Sequence, residues 1–437
     1  MKKIMMLILL TGSLMAQQKL FTLEESVRIG LENSKDLKIA GAKTNSADYK
    51  LSEVNSMFLP QFNILGNYTR LSDNIPAFEV TLPFSPSPVR IADPIYDNYT
   101  FKIGFSQPLF TGFKLLSSRN AAKYNLKAEE YDYSKEKNET AFGIQTAFWN
   151  YYKTAEIKKV VEQTLIQIEN HLNDTRNFYS QGLVSNNDVL KLEVQYSNTK
   201  LILIDAENNL NISKMAFNKA LGFDLGSQTN VVVNPNELQT IEFNEQDLLN
   251  EALINRNELK SLSFRVEGSK ENIKAAWSEL YPSVYLTGNY YYSNPNPRYQ
   301  PAVNEFNNNW DVGVTLSWNF WDWGKTSSKV SQAEQTKIQL ETNYDMLKEN
   351  IQMEVQKNYF DLLKNEEKIS VNKIALEQAK ENYRITAEKF DLQIASSTDL
   401  IDAESLKLQA ETNLKTAEVD YQIAKANLLK SLGRNIF

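Results

Sequence analysis

The side chains able to do chemistry are few. Asp399 and Asp402 stand three residues apart where an apolar helical run opens, and Asp188 opens an earlier run of the same kind. Two nearby carboxylates are the working pair of a glycosidase, but no segment of this chain builds a sugar cleft. The plainer role of Asp188 and Asp399 is to cap the helices that follow them. There is one histidine, His171, and no cysteine. A single His cannot supply a His-cluster metal site and leaves little room for imidazole acid–base chemistry. Without Cys there is no disulfide framework, thiolate metal site or thiol nucleophile. No cofactor, metal or enzymatic activity is implied. His171 lies in a polar helical stretch and is expected at the surface.

The 437 residues would allow about three ordinary domains at roughly 150 residues each. Formal charge is −7 and the pI about 5.2, which argues against nucleic acid as a partner. A mean hydropathy of −0.44 argues against a bundle of transmembrane helices. It leaves room for a β-barrel, whose strands are only half apolar. At the start, Met1-Lys2-Lys3, the apolar run Ile4 to Leu10 and the small-residue stretch to Ala16 have the layout of a secretory signal over 1–16. An exported mature chain is expected. With no Cys at the expected new terminus, no lipid anchor is expected.

Proline shows where the long elements lie. Seven of the 12 prolines fall between Pro60 and Pro108, one is Pro235, and four fall between Pro282 and Pro301. Each costs about 3 kcal/mol inside a helix, so the two proline-free regions read as helical. Ile144, Phe148, Tyr151 and Ala155 step by 4, 3 and 4, as Leu414, Ala417, Tyr421, Ala424 and Leu428 step by 3 and 4 in turn. That spacing is a coiled-coil seam.

The sequence also repeats itself. At an offset of 222, Pro60 meets Pro282 and Gly66-Asn67-Tyr68 meets Gly288-Asn289-Tyr290; at 211, Asp188 meets Asp399 and Leu221-Gly222 meets Leu432-Gly433. A tandem duplication of a helix–strand–strand–long helix–helix unit is expected. The first repeat is 17–234, with strands about 61–70 and 98–110 and helices about 23–58, 112–181 and 187–221. The second is 235–437, with strands about 283–292 and 309–321 and helices about 245–280, 324–393 and 398–432. The chain is therefore mostly α with a small β part. A helix of about 70 residues is roughly 105 Å long, and the two shorter helices of each repeat match it end to end.

Each repeat's two strands alternate strictly, as in Phe62, Ile64, Gly66 and Tyr68 against Asn63, Leu65 and Asn67. Aromatics gather at the strand ends: Tyr68, Tyr99, Tyr290 and Trp310 at one, Phe110, Trp318 and Trp321 at the other. This is the pattern of membrane-interface girdles in outer-membrane barrels, with lipid as the partner. Four strands cannot close such a barrel, whose minimum is about eight. Several copies must share one.

The ordered set of these features resembles the TolC-type outer-membrane efflux proteins across essentially the whole mature chain. Its carriers are the duplication, the strand exits Gln107-Pro108-Leu109-Phe110-Thr111-Gly112 and Trp318 to Gly324, and the turns Gly182 to Leu190 and Ser396 to Ala403. The resemblance implies a homotrimer: a 12-stranded outer-membrane β-barrel continued by a periplasmic α-helical barrel. It implies a channel-tunnel of a tripartite efflux or type I secretion system, partnered by a periplasmic adaptor and an inner-membrane RND or ABC pump. By the same resemblance Asp399, Asp402 and Asp188 belong to a periplasmic gate. Gly182, Leu183, Val184, Ile394 and Ala395 would form the tip that docks the adaptor. In the family a basic residue often stands at Ala395 and a glycine at Gln393, so this gate lacks one usual tie. An elongated coiled-coil surface protein or adhesin is the competing reading of the helices.

Overall fold

The computed structural model describes residues 19–233 and 245–437. The signal segment 1–16 and the repeat junction at 234–235 lie outside the described residues. The elements in order are β1 (Lys19–Phe21), α1 (Leu23–Asn33), α2 (Lys35–Ser56), β2 (Gln61–Arg70), β3 (Phe78–Val80), β4 (Val89–Ala92) and β5 (Asp97–Thr111). They continue as α3 (Lys114–Ser180), α4 (Asn186–Ala220), β6 (Thr229–Val231), α5 (Glu245–Asn255) and α6 (Asn257–Trp277). A one-turn 3-10 segment then leads to β7 (Ser283–Asn294), β8 (Asn307–Ser317), α7 (Lys325–Asp391) and α8 (Ser397–Ser431). The fold is mostly helical with a small sheet. No helix among the described residues is long and apolar enough to cross a membrane.

Two expected helices are each two helices. The stretch 23–58 breaks at Ser34, whose backbone is extended and whose hydroxyl accepts from the Leu37 amide at 3.2 Å. One serine thus ends α1 and caps α2, while the Asn33 side chain donates to the Leu221 carbonyl at 2.9 Å. The stretch 245–280 breaks at Arg256, which is buried and pairs with Glu258 at 3.0 Å and Glu354 at 2.9 Å. A break there lets the guanidinium also reach the Ser431 carbonyl at 3.1 Å. The strand expected over 309–321 ends at Ser317, so Trp318 and Trp321 lie in the link to α7. The short strands β1, β3, β4 and β6 were not expected, because three or four residues carry no readable alternation.

The chain divides into two compact units, each drawn from both halves of the sequence. One holds Met1–Ala42, Tyr131–Leu259 and Asp345–Phe437; the other holds Lys43–Glu130 and Lys260–Tyr344. In the first, Phe21, Ile144, Phe148, Trp149, Tyr151, Phe217 and Leu221 form the main core. β1 and β6 pair in parallel over it, and the Tyr151 hydroxyl donates to the Thr229 carbonyl at 2.7 Å. Gly30 is required there: a Cβ would lie 2.5 Å from Ile144 Cδ1.

The second unit holds an antiparallel sheet in the order β2-β5-β7-β8. Its register places Asn63, Gly104, Asn289 and Asp311 in one row across four strands. It places Ile64, Ile103, Tyr290 and Trp310 in the adjacent row. Period-two alternation therefore runs coherently across the whole sheet.

Candidate functional site: two helical turns and an open sheet

The turn from α3 to α4 is fixed by backbone chemistry. The Leu183 amide donates to the Phe178 carbonyl at 3.0 Å and the Gly182 amide to that of Tyr179 at 2.9 Å. This is a Schellman closure, with Gly182 at φ +74°. Ser185 then caps α4. Its hydroxyl accepts from the Asp188 amide, and the Asp188 carboxylate accepts from the Ser185 amide at 3.1 Å. The turn from α7 to α8 has the same construction. Ile394 donates to the Lys389 carbonyl and Gln393 to that of Phe390, each at 2.8 Å. Gln393 takes the left-handed position at φ +60°, and Ser396 with Asp399 forms the second capping box.

The aspartates are thus the third helical residues, and the caps themselves are Ser185 and Ser396. The signal was present in the sequence as Ser-x-x-Asp before each apolar run. The Ser185 hydroxyl holds Asp188 below the usual carboxylate range, and the Ser396 hydroxyl does the same for Asp399. Asp399 and Asp402 are exposed, whereas Asp188 is half-buried. Of the tip residues, Gly182, Leu183 and Ile394 are exposed and Val184 and Ala395 half-buried.

Helices α4 and α8 pack beside these turns. Lys191 Nζ donates to Thr398 Oγ1 at 2.9 Å, and Leu172, Val189 and Leu192 cluster with Tyr196 and Ile401. Further from the tips, His171 is half-buried rather than fully exposed. Its Nε2 lies 2.9 Å from the Tyr383 hydroxyl, and its buried Nδ1 has no hydrogen-bond partner among the described residues. The polar stretch around His171 gave no sign of this, because the partner lies 212 residues away. Lys407 reaches both Gln167, at 2.8 Å, and the face of the Tyr383 ring, at 4.3 Å. Beside them Glu404 is 2% exposed and one of its carboxylate oxygens is unpartnered among the described residues. Burial pushes its carboxyl up to about 7. Burial lowers His171, which is therefore neutral at pH 7.

On the sheet, the two faces differ in chemistry. A Cβ on Gly104 would meet the Asn63 and Asn289 side-chain oxygens at 2.7 and 2.8 Å, so that face is polar. One on Gly288 would meet the Phe105 ring at 2.3 Å, so the other face is apolar. Phe62, Ile64, Phe101, Ile103, Trp310, Val312 and Val314 all lie exposed on it. The Tyr68 and Tyr99 rings lie 4.9 Å apart, tilted at 32°, at one end. Near the other, Phe110 meets Phe113 edge-on at 5.3 Å, and Trp318 Nε1 donates to the Leu280 carbonyl at 3.1 Å. Among the described residues, strands β2 and β8 each have an edge with no neighbour in the sheet.

These features have counterparts in known proteins. The sequence profile of outer membrane efflux proteins matches residues 28–223 and 248–434. The outer membrane protein TolC of Vibrio cholerae serotype O1 is 23% identical over 310 residues, which are 69% of this chain and 66% of that protein. The alignment thus spans just under two thirds of TolC's length. The crystal structure of the Campylobacter jejuni CmeC outer membrane channel superimposes with a TM-score of 0.77 at 17% identity, covering 94% of this chain and 85% of that one. The open-state Neisseria gonorrhoeae MtrE outer membrane channel gives 0.77 at 16%, covering 94% and 89%. With the profile matching most of both halves, the chain belongs to the outer membrane efflux protein family and has its TolC-type fold.

Proposed function

We propose that this chain is one protomer of a trimeric outer-membrane channel. It passively conducts cargo, handed over by an inner-membrane pump through a periplasmic adaptor, to the exterior. The observation that carries this reading is the four-stranded sheet, apolar over most of one face and, among the described residues, unpaired at both edges. An exposed apolar face of that extent needs lipid, and open edges need further strands. Three copies supply twelve strands, enough for a closed barrel. Tyr68, Tyr99, Tyr290 and Trp310, with Phe110, Trp318 and Trp321, then stand at the two membrane interfaces.

At the two helical turns, Asp399, Asp402 and Asp188 form the gate. Three copies concentrate carboxylates about one axis, which attracts cations and sets up mutual repulsion. The role of the gate is constriction, and no step of catalysis is required of this chain. Gly182, Leu183, Val184, Ile394 and Ala395 present the small apolar tips that an adaptor contacts. Planar-bilayer recording of the purified protein tests the gate. Asp399→Ala combined with Asp402→Ala should raise single-channel conductance and reduce cation selectivity. Unchanged values for both would remove the gate assignment while leaving the channel itself in place.

A further inference from the structure

The loop between β2 and β5 carries the hairpin β3–β4, and its tip is Thr81-Leu82-Pro83-Phe84-Ser85-Pro86-Ser87-Pro88. Phe84 is 98% exposed. Three prolines and the Ser85 amide bonded to the Leu82 carbonyl at 3.1 Å restrict the tip, so holding the ring in place costs little further entropy. A fully solvated phenyl on a stiffened tip forgoes about 2 kcal/mol of burial. The same unit has an apolar cavity of about 830 Å³ between the base of this hairpin and the β7–β8 loop. Ile75, Phe78, Ile91, Pro297, Tyr299 and Ala302 are among its walls. It is roomy enough for a phenyl group, and Phe84 of the same chain does not fill it.

The strand order says which chain can. Arg70 pairs with Asp97 and Ser293 with Asn307, so both loops leave the same end of the sheet. The hairpin loop departs from edge strand β2, and the β7–β8 loop feeds edge strand β8. When copies close a barrel, β2 of one adjoins β8 of the next, and each hairpin is brought against its neighbour's β7–β8 loop. The tip of one protomer seated against the 295–302 wall of the next protomer's cavity is a heterologous contact, which closes on itself in a three-fold ring.

We propose that Phe84 of each protomer docks in the apolar cavity walled by Tyr299 and Ala302 of the adjacent protomer. The result is a ring of three identical contacts that ties the exit loops together. This rests on the trimeric reading above and adds an interface beyond the strands.

The chain has no native cysteine, so engineered pairs report cleanly. Phe84→Cys with Ala302→Cys, oxidised in native membranes or joined by a short bis-maleimide, should give a covalent trimer that survives heating on a denaturing gel. Each single variant should stay monomeric after heating. Coexpressed single variants should give a covalent dimer containing one of each. A Phe84→Cys dimer by itself would mean that the tips meet on the axis, and an internal link in the double variant that the hairpin folds onto its own cavity. Either overturns the proposal, as does an intact unheated trimer that forms no 84–302 link. Absence of any trimer in the unmodified protein would instead count against the assembly. As a second readout, Phe84→Ser should lower the temperature at which the unheated trimer dissociates, and Phe84→Leu should restore most of it.

Discussion

His171 Nε2 and the Tyr383 hydroxyl lie 2.9 Å apart, joining the two 67-residue helices α3 and α7 through the chain's only histidine. Burial pushes the Tyr383 hydroxyl up to about 12, so it keeps its proton throughout the physiological range. The same burial lowers His171. A base whose folded pKa lies below its unfolded value of about 6.5 contributes full stability above that pH and loses it as pH falls. Thermal unfolding at pH 5 and pH 8 should therefore differ less in His171→Gln than in the unmodified protein. An unchanged difference would place the imidazole in solvent.

Glu404 responds in the opposite direction. Its carboxyl is pushed up to about 7 by burial, so folding favours the protonated form. Stability is greatest in acid, falls as pH rises from about 4.3 toward 7, and is level above that. Glu404→Gln keeps the shape and removes the charge. It should stabilise the protein at pH 8 by up to roughly 3 kcal/mol and change little at pH 4. Denaturation midpoints at the two pH values measure this.

At the α7–α8 turn a glutamine holds a left-handed backbone at φ +60°. Such a conformation costs a non-glycine residue about 1 kcal/mol, which glycine avoids. Gln393→Gly should therefore stabilise the turn by about that amount. Gly182→Ala at the matching turn, where φ is +74°, should destabilise by a similar amount. Limited proteolysis at the tips would report both changes locally.

The two capping serines make a paired prediction. Removing either Ser185 or Ser396 by substitution to Ala should cost about 1 kcal/mol and free the aspartate that it holds. Because Asp188 and Asp399 are held low by those hydroxyls, their contribution is present above the ordinary carboxylate range and lost as pH falls through the lowered values. The variants should be less sensitive to acid around the turns, as followed by hydrogen exchange of the first turns of α4 and α8.

Arg256 is buried against Glu258 and Glu354 and donates to the Ser431 carbonyl. Arg256→Ala strands all three acceptors and should cost about 3–5 kcal/mol in the unfolding free energy. Arg256→Lys retains the charge without the planar fork and should recover only part of it.

Several of these features were legible in the residues alone. Proline placement marked α3, α4, α7 and α8 because a ring at an interior helical position removes a hydrogen bond wherever the helix lies. Alternation marked β2, β5, β7 and β8 because side chains on a strand point to opposite faces by local geometry. The offset of 211 aligned Asp188 with Asp399, and their turns have matching caps because Ser-x-x-Asp is a local instruction.

Other features depend on residues far apart in sequence. The break at Arg256 exists because Glu354 and Ser431 approach from α7 and α8. Glu404 is buried and His171 half-buried where α3, α7 and α8 pack together, and no property of their neighbours in sequence announces that. The register that unites the apolar face, and the cavity between the β2–β5 and β7–β8 loops, likewise arise only when β2, β5, β7 and β8 lie side by side. Sequence by itself determined the elements and their caps, since those follow from local sterics and hydrogen bonds. Tertiary structure decided which polar groups lose water, because desolvation is set by whatever packs against them.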